Sequence, residues 1–336
     1  MSGSGRLRVG LVGAGRIAPV YAQALACCRN ARLCGVADVK AEAAADLART
    51  VGCRSFASHR HMLAAGDLDA AIVCTPPVTH PAISLDLLAS GLHVLCEKPF
   101  SIRVAEARQM IAAARTAGLV ITMASKFRFV DDVIAAKRLV DSGVFGHVSD
   151  FENTFVTPVD MRGRWNANPS VSGGGVLIDN GTHAVDLARF FLGPLKHVDA
   201  EEGARRQGLG VEETVRLRGA SHGDTALCIE LSWNDPPPTD TYLHLRGTAG
   251  SLSLGWKQSH YRHGDGSAVV FGHGYDKVQA FTRQIENFAS AIAGEDALVV
   301  TPADALASVD AIAAAYRSLR QNRQTAIGDS HTAPPL

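Results

Sequence analysis

The 336-residue sequence predicts an α/β protein with a doubly wound parallel sheet in its N-terminal part and an α/β domain with an open, mainly antiparallel sheet after it. Residues 8–123 alternate short apolar segments with helical ones, as in a parallel sheet covered on both faces. After residue 125 several segments alternate with period two, for example 226–233, which has one apolar and one polar face. We expect domains over 1–125 and 126–327 and a flexible tail over 328–336.

Each predicted element follows from these periodicities. In the first domain the predicted strands are residues 8–12, 33–37, 54–56, 70–74, 93–97 and 119–123, and the predicted helices are 17–27, 41–51, 80–90 and 103–117. In the second domain the predicted helices are 132–142, one beginning near residue 182, 277–293 and 302–320, and the predicted strands include 211–218, 226–233, 241–246 and 251–256. Ligands of parallel sheets bind beyond the carboxyl ends of the strands, so we expect the chemistry in the loops there.

The composition excludes several classes of function. Lys plus Arg number 33 and Asp plus Glu number 33, so no basic excess indicates nucleic acid or a membrane surface. No apolar run suggests a signal core or a bilayer span. The seven cysteines lack CxxC spacing and predict reduced thiols, with neither a disulfide frame nor a metal site. We expect a cytoplasmic protein that acts on a small molecule.

A glycine-rich turn lies in the stretch VGLVGAGRIA, residues 9–18. Gly13, Gly15 and Ala18 stand at the first, third and sixth positions of GxGxx[GA]. These small residues permit a tight turn, a close approach of a pyrophosphate and close packing of the next helix, whose free N–H groups would face the phosphates. Arg16 and Ile17 lie in the same turn and are further predicted cofactor contacts. The pattern predicts a dinucleotide site; a doubly wound domain with an empty crevice is the alternative.

The acidic residue that ends the second predicted strand, Asp38, indicates which dinucleotide is bound. Its carboxylate can accept hydrogen bonds from the ribose hydroxyls of NAD and would repel the 2′-phosphate of NADP. Lys40, two residues later, leaves room for NADP. We therefore predict NAD as the cofactor.

Two loops follow the fourth and fifth strands, CTPPVTH at 74–80 and CEKPF at 96–100. The first would lie beside the nicotinamide half of the cofactor, unless it is a plain strand-to-helix turn. In the second, Lys98 can donate hydrogen bonds to a substrate hydroxyl and stabilise a developing alkoxide, unless it is a solvated surface lysine. The predicted cofactor contacts in these loops are Thr75, Pro76, Pro77, His80, Glu97 and Lys98.

The stretch GGGVLIDNGTHAVD, residues 173–186, predicts a flexible glycine segment before a helix that begins near Thr182. Asp179 would precede that helix and His183 would lie in its first turn. The helix dipole would lower the pKa of His183 there and keep its imidazole neutral, able to accept a proton. A helix-start histidine bonded to the backbone is the alternative.

Together the motifs GAGRIA, TPPVTH, EKP and GGGxxxDxGTHxxD, in this order, resemble the Gfo/Idh/MocA family of glucose-fructose oxidoreductase, inositol dehydrogenase and the rhizopine-catabolism oxidoreductases, over residues 6–320. The resemblance implies a Rossmann domain and a second domain whose open sheet commonly forms dimer or tetramer contacts. It implies that Lys98 touches both nicotinamide and the reacting hydroxyl, that His183 is the acid/base, and that Asp179 binds substrate.

The resemblance also implies further substrate contacts. Arg128 matches an arginine that follows the sixth strand in inositol dehydrogenase-like members, and Arg164 and Trp165 lie in the region of sugar contacts. The predicted substrate-binding residues are thus Lys98, Arg128, Arg164, Trp165, Asp179 and His183.

The predicted function is an NAD-dependent dehydrogenase that oxidises a secondary hydroxyl of a sugar, cyclitol or glycoside to a ketone, with an aminosugar or nucleotide sugar of a natural-product pathway among the candidate substrates. The alternatives are an NAD(P)H-dependent keto-sugar reductase and a non-catalytic NAD- or sugar-sensing regulator of the same fold. The combination of Lys98, Asp179 and His183 favours an enzyme, since a regulator needs no such triad.

The second sheet also predicts an assembly. We expect a homodimer or homotetramer, because Val215 and Leu217 are predicted to leave apolar surface on the strands between residues 211 and 256.

Overall fold

The computed structural model describes residues 5–328 of the chain. The α-helices are α1 (Ala18–Cys27), α2 (Ala41–Val51), α3 (His59–Ala64), α4 (His80–Ala89), α5 (Val104–Ala117), α6 (Asp131–Asp141), α7 (Pro169–Ser172), α8 (Val176–Leu192), α9 (Lys277–Ala293) and α10 (Pro302–Gln321). The strands are β1 (Leu7–Val12), β2 (Ala31–Ala37), β3 (Arg54–Phe56), β4 (Ala70–Val73), β5 (His93–Cys96), β6 (Ile121–Met123), β7 (Val148–Val156), β8 (Leu195–Glu202), β9 (Thr214–Ser221), β10 (Ala226–Ser232), β11 (Thr241–Gly247), β12 (Gly250–Gly255), β13 (Ser259–His263), β14 (Ala268–Gly272) and β15 (Thr325–Ala326).

The first sheet confirms the predicted doubly wound fold. Within the described residues its six strands run in the order β3-β2-β1-β4-β5-β6, and all their pairings are parallel. The order reverses between β1 and β4, and a dinucleotide binds at such a reversal. Sequence reasoning missed α3, a six-residue helix too short to show a period, whose start is capped by the Ser58 hydroxyl accepting from the His61 N–H.

The second sheet confirms the predicted open, mainly antiparallel architecture. In the described part of the chain its nine strands run in the order β14-β13-β12-β11-β7-β10-β9-β8-β15, and β7 pairs in parallel with β10. Alternation along β10 is as predicted, since Leu227, Ile229 and Leu231 are buried.

The outward face of this sheet differs from the prediction. Val215 and Leu217 both lie on the buried face of β9 because they are two residues apart in a strand, so they leave no apolar surface for a partner. The opposite face of β9 carries Arg216 and Arg218, whose guanidinium groups pair with glutamates on neighbouring strands. The apolar argument for an assembly was therefore wrong.

The chain divides into two compact units whose boundary differs from the predicted one. Among the described residues, those up to 126 and residues 277–306 form the first unit, and residues 127–276 and those from 307 onward form the second. Residues 277–306 join the first unit because α9 packs on α1, with Phe281, Ile285 and Phe288 in the same hydrophobic core as Tyr21 and Leu25. Of the predicted tail, residues 329–336 lie outside the described part.

The structure also bears on membrane insertion. Among residues 5–328, no helix combines the length and the apolar character that a bilayer crossing requires.

Candidate functional site

The two predicted turn glycines are required for different reasons. Gly13 has φ of +104°, and a Cβ there would lie 2.8 Å from the main-chain carbon and oxygen of Cys74, so the turn itself excludes a side chain. A Cβ on Gly15 would meet no heavy atom within 4 Å. Packing within the protein therefore does not explain the glycine at this position. The open space beside Gly15 instead fits the close approach of a bound pyrophosphate.

The start of α1 also fits an anion. Ile17 is the N-cap residue and contributes no side-chain hydrogen bond, and no acidic residue lies in the first turn. The helix N–H groups are thus not capped by a side chain, and the positive end of the helix dipole is not neutralised. Ala18 is fully buried, as expected for the sixth position of the motif, whereas Arg16 is exposed. These features fit the phosphates of NAD.

Asp38 lies beside this turn, just past β2. One carboxylate oxygen accepts from the Ala14 N–H at 2.6 Å, and the other accepts from the Lys40 N–H at 2.7 Å. The main chain therefore orients the carboxylate next to the glycine turn, where it fits the ribose hydroxyls of the cofactor.

The loop after β4 contains the next four predicted cofactor contacts. Thr75 and Pro76 are half-buried, and Pro77 is buried and starts a 3₁₀ turn, Pro77–Thr79. His80 is fully buried, with Nδ1 2.8 Å from the Pro99 carbonyl oxygen and Nε2 2.8 Å from the Thr75 carbonyl oxygen. His80 thus bridges two loops at this edge, and its ring nitrogens face the protein. The buried positions of Pro77 and His80 favour a structural role, whereas Thr75 and Pro76 stay predicted contacts.

The loop after β5 presents Glu97 and Lys98, both half-buried. Glu97 Oε1 accepts from the Tyr21 hydroxyl at 2.6 Å, and Oε2 accepts from the Lys98 N–H at 3.0 Å. The carboxylate that the motif analysis took for a cofactor contact is thus bonded to the protein through both oxygens. Lys98 stands at the carboxyl edge of the sheet as predicted.

The helix that carries the predicted acid/base differs from the prediction in its start. It begins at Val176, so Asp179 lies in its first turn and His183 lies near its middle. The dipole argument for His183 was therefore wrong, because the effect of the helix terminus fades beyond the first turn. Asp179 and His183 are four residues apart and share one face of α8.

The reason for the early helix start is a carboxylate that sequence reasoning missed. Glu212 Oε1 accepts from the N–H groups of Gly175 and Leu177 at 2.8 and 3.2 Å, and from the Tyr316 hydroxyl at 2.6 Å. A negative charge at this position stabilises a helix N-terminus. The glycines of the predicted flexible segment are close-packing positions, since a Cβ on Gly175 would lie 2.0 Å from the Glu212 carbonyl oxygen.

Arg128 forms a second anchor of α8. Its Nε and Nη2 donate to the two carboxylate oxygens of Asp186 at 2.9 and 2.6 Å, and both side chains are buried. Asp186 is the last residue of the GGGxxxDxGTHxxD motif, one turn after His183. The guanidinium predicted to bind substrate thus holds the helix, and its contact with substrate stays a prediction.

Aromatic rings surround the imidazole of His183. The ring of Phe127 lies edge-on with its centroid 5.1 Å from that of His183, and the ring of Phe155 lies at 6.4 Å. These rings limit how the buried imidazole can turn. Sequence reasoning missed both, since a lone Phe carries no motif. Arg164 and Trp165 lie at the 3₁₀ turn Trp165–Ala167, where Trp165 is 44% exposed, and their substrate role stays a prediction.

Comparison with known proteins identifies the family. The profile "Oxidoreductase family, NAD-binding Rossmann fold" matches residues 7–125, and the profile "GFO/IDH/MocA C-terminal domain" matches residues 133–253. The rhizopine catabolism protein MocA of Rhizobium meliloti is 28% identical over 97% of this chain and 99% of its own.

Two further matches extend the comparison. A dTDP-3,4-didehydro-2,6-dideoxy-alpha-D-glucose 3-reductase of Streptomyces antibioticus is 31% identical over 75% of this chain and 76% of its own. The structure of GenD2 from gentamicin A biosynthesis, in complex with NAD, matches with a TM-score of 0.86 and 25% identity over 98% of both chains. With a nucleotide-binding turn that fits NAD and both family domains in order, this chain belongs to the Gfo/Idh/MocA family of NAD-dependent sugar and cyclitol oxidoreductases.

Proposed function

We propose that this protein oxidises a secondary hydroxyl of a sugar, cyclitol or glycoside to a ketone. The observation that carries the proposal is the Asp179–His183 pair on one face of α8, a helix held by Glu212 at its start and by Arg128 at Asp186. A fixed acid/base needs such support, because catalytic groups act only from a narrow range of positions.

The residues of this chain divide the reaction among them. His183 accepts the hydroxyl proton, and the electron pair of the O–H bond forms the carbonyl as hydride leaves the same carbon. Asp179 accepts a hydrogen bond from a neighbouring substrate hydroxyl, and Lys98 donates one to the reacting oxygen as negative charge develops there. When bound, NAD supplies the hydride acceptor, C4 of its nicotinamide ring. Gly15, Asp38 and the start of α1 would hold its phosphates and ribose.

Reduction of a keto-sugar is the same reaction reversed, with His183 as the proton donor. The similarity to a dTDP-keto-sugar reductase supports this direction, and the similarity to an inositol 2-dehydrogenase of Rhizobium meliloti supports oxidation. Natural-product sugars are a candidate substrate class, since GenD2 is from gentamicin A biosynthesis.

The experiment that tests the proposal is a substrate panel. Purified protein is incubated with NAD and polyols, aminoglycosides or nucleotide sugars, and NADH formation is followed by absorbance. The matched panel of ketones with NADH tests the reverse direction. We expect turnover with at least one sugar-like substrate and loss of that turnover in His183→Ala. Turnover in neither direction across the panel, from folded protein that binds NADH, would contradict the proposal.

We also propose that the protein forms a homodimer or homotetramer. The resemblance to the family supports it, and the paired charges on the outward face of the second sheet are compatible with a polar interface. Sedimentation at micromolar concentration tests the assembly, and a monomer mass would contradict it.

A further inference from the structure

A chain of hydrogen bonds leads from the buried hydroxyl of Tyr21 in α1 to the main chain of Lys98. The Tyr21 hydroxyl donates to Glu97 Oε1 at 2.6 Å, and Glu97 Oε2 accepts from the Lys98 N–H at 3.0 Å. Tyr21 is fully buried, so no solvent competes for its hydroxyl. A hydrogen bond to a carboxylate in such surroundings is short and strong. The side chain of Glu97 is thus held on one side by Tyr21 and holds Lys98 on the other.

The hydroxyl of Tyr21 is not explained by packing. Its ring meets the ring of Phe281 edge to face, with centroids 4.8 Å apart, and a phenylalanine would make the same contact. Burial, together with the charge of Glu97, raises the pKa of Tyr21 well above its usual value. The phenol therefore stays protonated at ordinary pH and remains a hydrogen-bond donor to Glu97.

The residue after Lys98 is held as well. The His80 ring spans from the Thr75 carbonyl to the Pro99 carbonyl, 2.8 Å from each oxygen. Burial lowers the pKa of His80, so its neutral ring donates to one of these carbonyls at a time. Lys98 accordingly lies between a contact at its own N–H and a contact at the next carbonyl.

We propose that Tyr21 is a positioning residue for catalysis, which acts through Glu97 to fix the main chain that carries Lys98. The inference rests on the proposed function of Lys98 and assigns a role to a residue that no motif contains. Without the hydroxyl, Glu97 loses one of its two partners, and the Lys98 main chain gains freedom while the hydrophobic core stays filled.

A first test uses Tyr21→Phe and needs no substrate. Amide hydrogen exchange of a peptide covering residues 97–100, in protein without cofactor, reports the Lys98 N–H. We expect faster exchange at this peptide in Tyr21→Phe. The matched control is Tyr242→Phe, which removes a buried hydroxyl without a hydrogen-bond partner among the described residues and should leave this peptide unchanged. Equal exchange in Tyr21→Phe and wild type would overturn the proposal.

A second test separates positioning from general stability. We expect Tyr21→Phe to lower kcat by roughly 5- to 50-fold and to change NADH affinity by less than about threefold, because a displaced catalytic group costs rate more than binding. A purely structural role would lower the melting temperature and leave the kcat of the folded protein unchanged.

The Lys98→Ala background distinguishes this inference from the proposed function. If Tyr21 acts through Lys98, Tyr21→Phe has no further effect on kcat when Lys98 is absent. Normal turnover of Lys98→Ala would overturn the role of Lys98 and the inference with it. Impaired turnover of Lys98→Ala with wild-type turnover of Tyr21→Phe, or an undiminished Tyr21→Phe effect in the Lys98→Ala background, would overturn the inference alone.

Discussion

In each unit a tyrosine hydroxyl donates a hydrogen bond to a glutamate, but the two contacts have different roles. In the first unit the hydroxyl of Tyr21 lies 2.6 Å from Glu97, which bonds one N–H in a loop. In the second unit the hydroxyl of Tyr316 lies 2.6 Å from Glu212, which bonds two N–H groups at the start of α8. The first pair orients the main chain of a single residue. The second sets where a whole helix begins, so its loss should disturb the fold more.

In both units a tyrosine is linked through a glutamate to the main chain near a predicted site residue. Burial raises the pKa of both tyrosines, so each remains a protonated donor. The two glutamates differ in their other partners. Glu97 also accepts from one N–H in a loop, whereas Glu212 also accepts from two N–H groups at the start of α8. We therefore expect substitutions on α8 and at Glu212 to have larger effects than those in the first unit.

His183→Ala should have the largest effect. A general base contributes about 10²- to 10⁴-fold to rate, so we expect turnover to fall by that order. Affinity for NADH should change little, because His183 is expected to face the substrate and not the dinucleotide. Steady-state kinetics and a fluorescence titration with NADH measure the two effects. Near-normal turnover of His183→Ala would remove the acid/base assignment and make Asp179 the candidate.

Glu212→Ala should have the next largest effect, which is a loss of stability. The substitution leaves the N–H groups of Gly175 and Leu177 and the Tyr316 hydroxyl without their acceptor, so the free energy of unfolding should fall by about 2–4 kcal/mol. Chemical denaturation measures it. Glu230→Ala is the matched control, since its exposed ion pair with Arg216 should contribute about 0–1 kcal/mol. Equal losses in the two variants would contradict the role of Glu212.

The cofactor preference should be a smaller effect. We expect NADH to bind at least about tenfold more tightly than NADPH, or roughly 1.4 kcal/mol, because Asp38 repels a 2′-phosphate. Asp38→Ala should reduce this ratio, while Gly15→Ala should weaken both cofactors equally, since a Cβ there would enter the space of the pyrophosphate that both dinucleotides share. Fluorescence titration of each variant with NADH and with NADPH measures the ratio of the two affinities. Equal affinity in wild type would mean that Lys40 or a neighbour accepts the phosphate.

The smallest expected effect is a pH-dependent one at Asp69. Hydrogen bonds from the Arg8 guanidinium lower the pKa of Asp69 below its usual value. A lowered pKa stabilises the folded state above the ordinary carboxyl pKa of about 4, and this contribution is lost as the pH falls through the lowered value.

The variant Asp69→Asn measures this contribution. Because the pair is partly exposed, wild type should exceed Asp69→Asn by only about 0.2–1 kcal/mol at neutral pH, and the difference should vanish in acid. Asp67→Asn is the control, since Asp67 lies farther from Arg8, at 3.8 Å, and is more exposed. A difference that grows as the pH falls would contradict the sign.

What the sequence by itself determined was local. The glycine turn, the acidic end of β2 and the alternation along β10 depend on residues close together in the chain, so their patterns predicted the sheets and the cofactor turn correctly. The predicted start of α8 was wrong because three consecutive glycines, considered without their tertiary contacts, indicate a flexible segment. In the folded chain Gly175 is held against Glu212, which lies 37 residues after it, and Gly174 packs against Tyr316.

Only the tertiary structure decided which predicted site residues are bonded to distant parts of the chain. The pairs Tyr21–Glu97, Arg128–Asp186 and Glu212–Tyr316 join residues that are 76, 58 and 104 positions apart. No period or motif relates such positions, because each pair forms only when separate elements pack and exclude water from both partners. Burial makes an unpaired charge costly, so the fold supplies these partners from whichever element lies alongside.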